Sequence, residues 1–151
     1  MADSGDVVTV ERVIPAPPEK IFDLLADPSR HREIDGSGTV RDPTEKSERL
    51  ALGSTFDMKM KLGVPYTMTN TVVEFEDNKK IAWQPRPKRM KRFGGRIWRY
   101  ELEPVEGGTR VRESWDISQE AGMKSIVRKG GKHTADNMEK TLERIEQIVT
   151  G

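Results

Sequence analysis

The chain contains no cysteine. Disulfides, thiolate nucleophiles and zinc–cysteine sites are therefore excluded. No apolar run approaches the roughly 20 residues that a helix needs to span a bilayer. The first residues, MADSGDVV, are acidic and lack the basic-then-apolar order of a secretory leader, so a soluble cytoplasmic protein is the expectation. Metal motifs are missing too: there is no HxxxH, no HExxH and no carboxylate cluster at metal-ligand spacing. No Ser-His-Asp or Cys-His arrangement can be argued, and neither GxGxxG nor a phosphate-binding loop occurs. Neither a metal nor a cofactor is expected. Internal repeats and low-complexity tracts are absent as well.

Apolar residues make up 34% of the 151 residues and charged residues another 34%. A chain so poor in apolar residues must place them well. It does not have the composition of a disordered chain, because its charges nearly cancel at +1. The length suits one domain, residues 1–151, which buries roughly two-thirds of its unfolded surface.

Periodicity supplies the elements. Val7 to Ile14 alternates and is rich in β-branched residues, as a strand requires. Pro15-Ala16-Pro17-Pro18 stops it, and a helix with Ile21, Phe22 and Leu25 on one stripe follows to about Ala26. Asp27-Pro28 reads as a cap opening a second short helix to about Glu33. Strand signals come next. Gly38 to Arg41 is weak. Ser54 to Leu62 sets Phe56, Met58, Met60 and Leu62 against Asp57, Lys59 and Lys61. Tyr66 to Phe75 is rich in threonine and valine, and Lys80 to Gln84 is short. Arg96 to Leu102 aligns Trp98, Tyr100 and Leu102. Thr109 to Ile117 aligns Val111, Glu113, Trp115 and Ile117. Gly63-Val64-Pro65, Asp77-Asn78 and Glu106-Gly107-Gly108 read as hairpin turns, and Phe93-Gly94-Gly95-Arg96 as a hairpin loop. The C-terminal segment is helical, with Ala135, Met138, Leu142, Ile145 and Val149 at three- and four-residue steps. Gly130-Gly131 leaves Met123 to Lys129 as a separate turn or a kinked extension.

Strands with one apolar face make an antiparallel sheet covered on one side. The predicted class is α+β. A curved antiparallel sheet of six to seven strands wraps a long C-terminal helix, with two short helices after the first strand.

Three stretches carry a resemblance. They are Val13-Ile14-Pro15-Ala16-Pro17-Pro18-Glu19-Lys20-Ile21-Phe22-Asp23-Leu24-Leu25 with Asp27-Pro28-Ser29; Trp98 to Pro104 with Gly108 to Trp115; and Met138 to Ile145. In these the chain resembles the START-like (SRPBCC) superfamily with the helix-grip fold, which includes birch-pollen-allergen-type proteins and lipid-transfer domains. It looks closest to the bacterial polyketide cyclase/dehydrase and lipid-transport group. The resemblance spans nearly the whole chain and is specific for fold rather than chemistry.

What the resemblance implies is a ligand held between the sheet and the long helix. The candidate lining is Phe56, Met58, Met60, Met68, Trp83, Trp98, Tyr100, Glu113, Trp115, Met138 and Leu142. Aromatics and flexible methionines suit a ligand with an apolar body and few polar handles. The alternative is a solid core built from the same residues.

Glu113 shares its face with Val111 and Trp115 and is expected to point inward, where a carboxylate is costly unless paired. It is a ligand handle or general acid–base; or the partner of Arg12 or another inward basic group; or a wet residue at the pocket mouth. Arg12 shares a face with Val8, Val10 and Ile14. His31 and His133 sit in charged surroundings and read as ordinary surface histidines. Arg86 to Phe93 holds five positive charges that Arg96 and Arg99 extend, and Lys124, Arg128, Lys129 and Lys132 form a smaller cluster. Lys88, Arg89, Lys91 and Arg92 could meet anionic lipid at about 1 kcal/mol per charge. The alternative is a solvated loop balanced by the acidic N-terminus and by Glu74, Glu76 and Asp77. The near-zero net charge argues against a dedicated nucleic-acid binder.

Three functions follow, in this order: a carrier or sensor of a lipid-like or polyketide-like molecule; a cyclase, aromatase or dehydratase-like enzyme using Glu113, Arg12 and Tyr100; and a regulatory or toxin-like interaction protein acting through the basic loop 86–99.

Overall fold

Alternating β-branched residues make β1 (Val7–Ile14) one edge of a seven-stranded antiparallel sheet in the computed structural model, which describes residues 6–38, 40–43, 48–88, 94–120 and 124–151. The remaining strands are β2 (Val40–Pro43), β3 (Thr55–Leu62), β4 (Val64–Glu76), β5 (Lys80–Pro87), β6 (Ile97–Val105) and β7 (Gly108–Asp116). Their order across the sheet is β1-β7-β6-β5-β4-β3-β2. Every neighbouring pair except β1 and β7 is consecutive in sequence, and tight turns join β3 to β4, β4 to β5 and β6 to β7. The sheet stays open, with β1 and β2 at its edges, and the chain pairs its first strand with its last.

Helix α1 (Pro18–Leu25) begins with a proline in its first turn, where no amide partner is lost, and buries Ile21, Phe22, Leu24 and Leu25. A 3₁₀ turn, Pro28–Arg30, is capped by the Asp27 carboxylate, which accepts from the Ser29 amide at 3.0 Å. It runs into α2 (His31–Ile34). Near the C-terminus, α3 (Lys124–Arg128) is separate from α4 (Gly131–Thr150). Met138, Thr141, Leu142, Ile145 and Val149 form the buried stripe of α4. Its apolar members, Met138, Leu142, Ile145 and Val149, join one continuous core with α1, α2 and the inner face of the sheet.

Several sequence expectations are corrected. The Gly63-Val64-Pro65 turn shrinks to Gly63 alone, because Leu62 pairs directly with Val64 and Gly63 takes φ +79°. β5 runs past Gln84 through Pro85 and Pro87. It pairs with β6 only over Lys80–Trp83, so both prolines lie where one side of the strand has no ladder to lose.

Strand β4 carries a bulge: Val72 opposes Trp83 and Glu74 opposes Ala82, which leaves Val73 as the extra residue. Strict alternation from Val72 would turn Glu74 inward. The bulge instead aligns Phe75 with Ile81 and Tyr100 and releases Glu74 to the outer face. There Arg99 donates to it through two nitrogens, at 2.8 and 2.6 Å.

Gly36 holds the α2 end against α4. A Cβ there would lie 2.1 Å from the Asn137 carbonyl oxygen and 2.8 Å from the Lys140 Cβ. The Gly36 amide donates to Thr141 Oγ1 at 2.9 Å, and Arg144 Nη1 donates to the Asp35 carbonyl.

Candidate functional site

Register builds the site. Across the inner face of the sheet, Val8, Trp115, Trp98, Trp83 and Val72 oppose one another on β1, β7, β6, β5 and β4. All three tryptophans of the chain therefore occupy one cross-strand row. The adjacent row is Val10, Glu113, Tyr100, Ile81 and Phe75. Strands β3 and β4 continue the face with the opposed pairs Phe56–Asn70, Met58–Met68 and Met60–Tyr66.

The rings touch one another. Trp98 and Trp115 have centroids 6.3 Å apart, and Trp83 lies 5.5 Å from Tyr100. His31 stacks on Trp83 at 4.7 Å and meets Phe56 edge-on at 5.5 Å. Trp83, Tyr100, Trp115, Met58, Met138 and Leu142 are buried, whereas Trp98, Phe56, Met60 and Met68 are half-buried.

Glu113 is 2% exposed and opposes Tyr100. Its carboxyl is pushed up to about 8: burial raises it most, the hydrogen bond from Tyr100 opposes the rise, and the Asp35 carboxylate adds to it. Among the described residues no cation is one of the groups that act on it. Its Oε1 is buried and has no hydrogen-bond partner among the described residues, and the same holds for Trp115 Nε1. Burial and the neighbouring Glu113 carboxylate raise the Tyr100 phenol well above its ordinary value. Near neutral pH the pair is protonated and uncharged.

Two expectations fail here. Arg12 does not pair with Glu113: its Nε donates to Glu146 of α4 at 2.9 Å, at the sheet edge, with 39% of its side chain exposed. The helix crosses β1 within reach of Arg12, two residue positions from the Glu113 row. His31 is not a surface histidine but 6% exposed, because α2 folds it down onto Trp83. Its Nε2 lies 2.8 Å from the Leu25 carbonyl at the end of α1. A nitrogen set against a carbonyl carries the proton, which leaves Nδ1 as an acceptor. Burial lowers the pKa of the ring. Its charged sequence neighbours conceal this position, whereas buried Asn70 follows the Tyr66, Met68, Val72 alternation and could have been found from it.

Much of the basic surface is internally matched. Lys88 pairs with Asp57, Arg96 with Glu120, Arg99 with Glu74 and Asp116, and Lys124 and Arg128 with Asp6. Arg89, Lys91 and Arg92 lie outside the described residues. Among the described residues no group of three His, Cys, Asp or Glu side chains could hold a metal ion, and no helix is long and apolar enough to cross a membrane.

An antiparallel sheet packed on a long C-terminal helix defines the START-like, helix-grip class of protein. The chain belongs to the family described as polyketide cyclase / dehydrase and lipid transport, which matches residues 6–149. The Mycobacterium tuberculosis protein Rv0088 is 37% identical over 135 residues, 80% of this chain and 57% of that protein. The chain thus spans little more than half the length of this curated relative. A solved Rhodobacter sphaeroides protein matches with TM-score 0.75 at 18% identity, covering 99% of this chain and 95% of that one. One from Chromobacterium violaceum matches with TM-score 0.73 at 16% identity, covering 97% and 98%. At such identities these two likenesses concern the fold alone. The family supports a role in hydrophobic ligand binding in general.

Proposed function

We propose that the protein is a carrier or sensor that binds a small apolar molecule between the inner sheet face and α4. The observation that carries this is Glu113: a carboxyl buried among aromatics, with Oε1 unpartnered and no cation acting on it among the described residues. A packing residue at that position would be apolar, since an unsatisfied buried polar group costs about 1–3 kcal/mol. A ligand oxygen or nitrogen would satisfy it. The tryptophan row, with Phe56 and Met58, supplies the flat apolar surface that the rest of such a molecule needs.

The test is a panel of lipids and aromatic metabolites read by melting temperature and NMR. Ligand at a hundredfold excess over Kd stabilises the native state by about 2.7 kcal/mol. A panel that moves neither observable refutes the proposal.

A second reading has support of its own. A carboxyl that holds its proton to about pH 8, beside a phenol, suits a general acid. In a cyclase or dehydratase it would protonate a carbonyl or a departing hydroxyl oxygen. Glu113→Gln then abolishes turnover of a flexible polyketone while leaving the fold intact; unchanged turnover removes Glu113 from the chemistry. Contact with anionic lipid through Lys88, Arg89, Lys91 and Arg92 has less support, because Lys88 is already matched by Asp57.

A further inference from the structure

We infer that the ligand is uncharged and carries an acceptor oxygen, a ketone, ester or hydroxyl, that seats against Trp115 Nε1 and Glu113. This rests on the ligand-binding reading above and names the chemical class it selects.

Three observations carry it. First, Trp115 Nε1 is buried without a partner among the described residues. An indole N–H can only donate, so whatever satisfies it must be an acceptor. Second, Trp115 and Glu113 are two residues apart on β7 and face the same side, roughly 7 Å apart along the strand. Two orphaned polar atoms thus occupy successive inward positions of a face that is otherwise largely apolar. Third, among the described residues no cation is placed to compensate an anion there. Arg12 is held by Glu146 and Arg99 by Glu74 on the outer face, while among the described residues the one charge acting on Glu113 is the Asp35 carboxylate. A carboxylate or phosphate head would be buried without a counterion and repelled by Asp35. A hydrocarbon would leave both polar atoms unsatisfied.

The experiment titrates the full chain with two matched series. The aromatic series is acetylnaphthalene, ethylnaphthalene and naphthoate; the aliphatic series is methyl nonyl ketone, undecane and undecanoate. Affinity is read by tryptophan fluorescence and calorimetry, and the indole N–H signals by ¹⁵N NMR. Trp115→Phe, which keeps an aromatic ring and loses the donor, is titrated in parallel and identifies the Trp115 signal. In at least one series the ketone should bind about tenfold or more tighter than both its hydrocarbon and its carboxylate. It should also move the Trp115 indole proton downfield. Trp115→Phe should reduce the ketone to the affinity of the hydrocarbon and leave the hydrocarbon unchanged. A carboxylate that binds as tightly as the ketone overturns the inference while the binding site stands. So does a ketone preference that survives Trp115→Phe, or an unmoved indole signal, whether or not that variant folds. If no compound of either series binds, the binding reading falls and this inference falls with it.

Discussion

Tyr100 and Glu113 oppose one another on β6 and β7, both buried, in a row bounded by Val10 and Ile81. Neither has a cation to balance it among the described residues, and burial keeps both protonated near neutral pH.

The native Glu113 carboxyl retains its proton to about pH 8, whereas the unfolded chain releases it near 4.5. Between these values the native state binds more protons. Stability therefore falls as pH rises through that window, by up to about 1.4 kcal/mol per pH unit from this group. Glu113→Gln should flatten the fall. Melting temperatures of both proteins from pH 4.5 to pH 9 measure it, and parallel curves would show that the carboxyl is not buried in this state.

His31 acts in the opposite direction. Burial lowers its folded pKa below 6.5, so below that pH the unfolded chain binds more protons and stability is lost as pH falls. His31→Ala should remove this acid-side loss. It also removes the Trp83 stack and the hydrogen bond to the Leu25 carbonyl, and should cost about 2–4 kcal/mol at pH 7. Denaturant unfolding at pH 5.5 and pH 7.5 separates the two effects.

Gly36→Ala should destabilise by about 1–3 kcal/mol or more. The added methyl would meet the Asn137 carbonyl oxygen and drive the α2–β2 connection away from α4. Urea unfolding checks it; a wild-type midpoint would mean that the helix and the connection do not touch.

The Arg12–Glu146 pair is partly exposed and should contribute little. A double-mutant cycle with Arg12→Met and Glu146→Gln should return a coupling of about 0.2–1 kcal/mol that shrinks in high salt. A coupling of several kcal/mol would show a pair far better shielded than its exposure implies.

Much of this architecture was legible before any coordinates. Alternation in Val7–Ile14, Thr55–Leu62 and Thr109–Asp116, the three- and four-residue steps from Met138 to Val149, and the Asp27-Pro28 cap all express local periods that a chain carries in itself. The inward direction of Glu113 follows from its place between Val111 and Trp115. Tertiary structure alone decided the rest. The bulge at Val73 resets which side chains face inward. Pairing of β1 with β7 joins Val8 to the tryptophan row. The fold of α2 onto Trp83 buries His31, and the crossing of α4 gives Arg12 to Glu146. The reason is physical: alternation along a strand tells which side of the strand a residue takes, whereas its partner depends on register and on the path of segments far away in sequence.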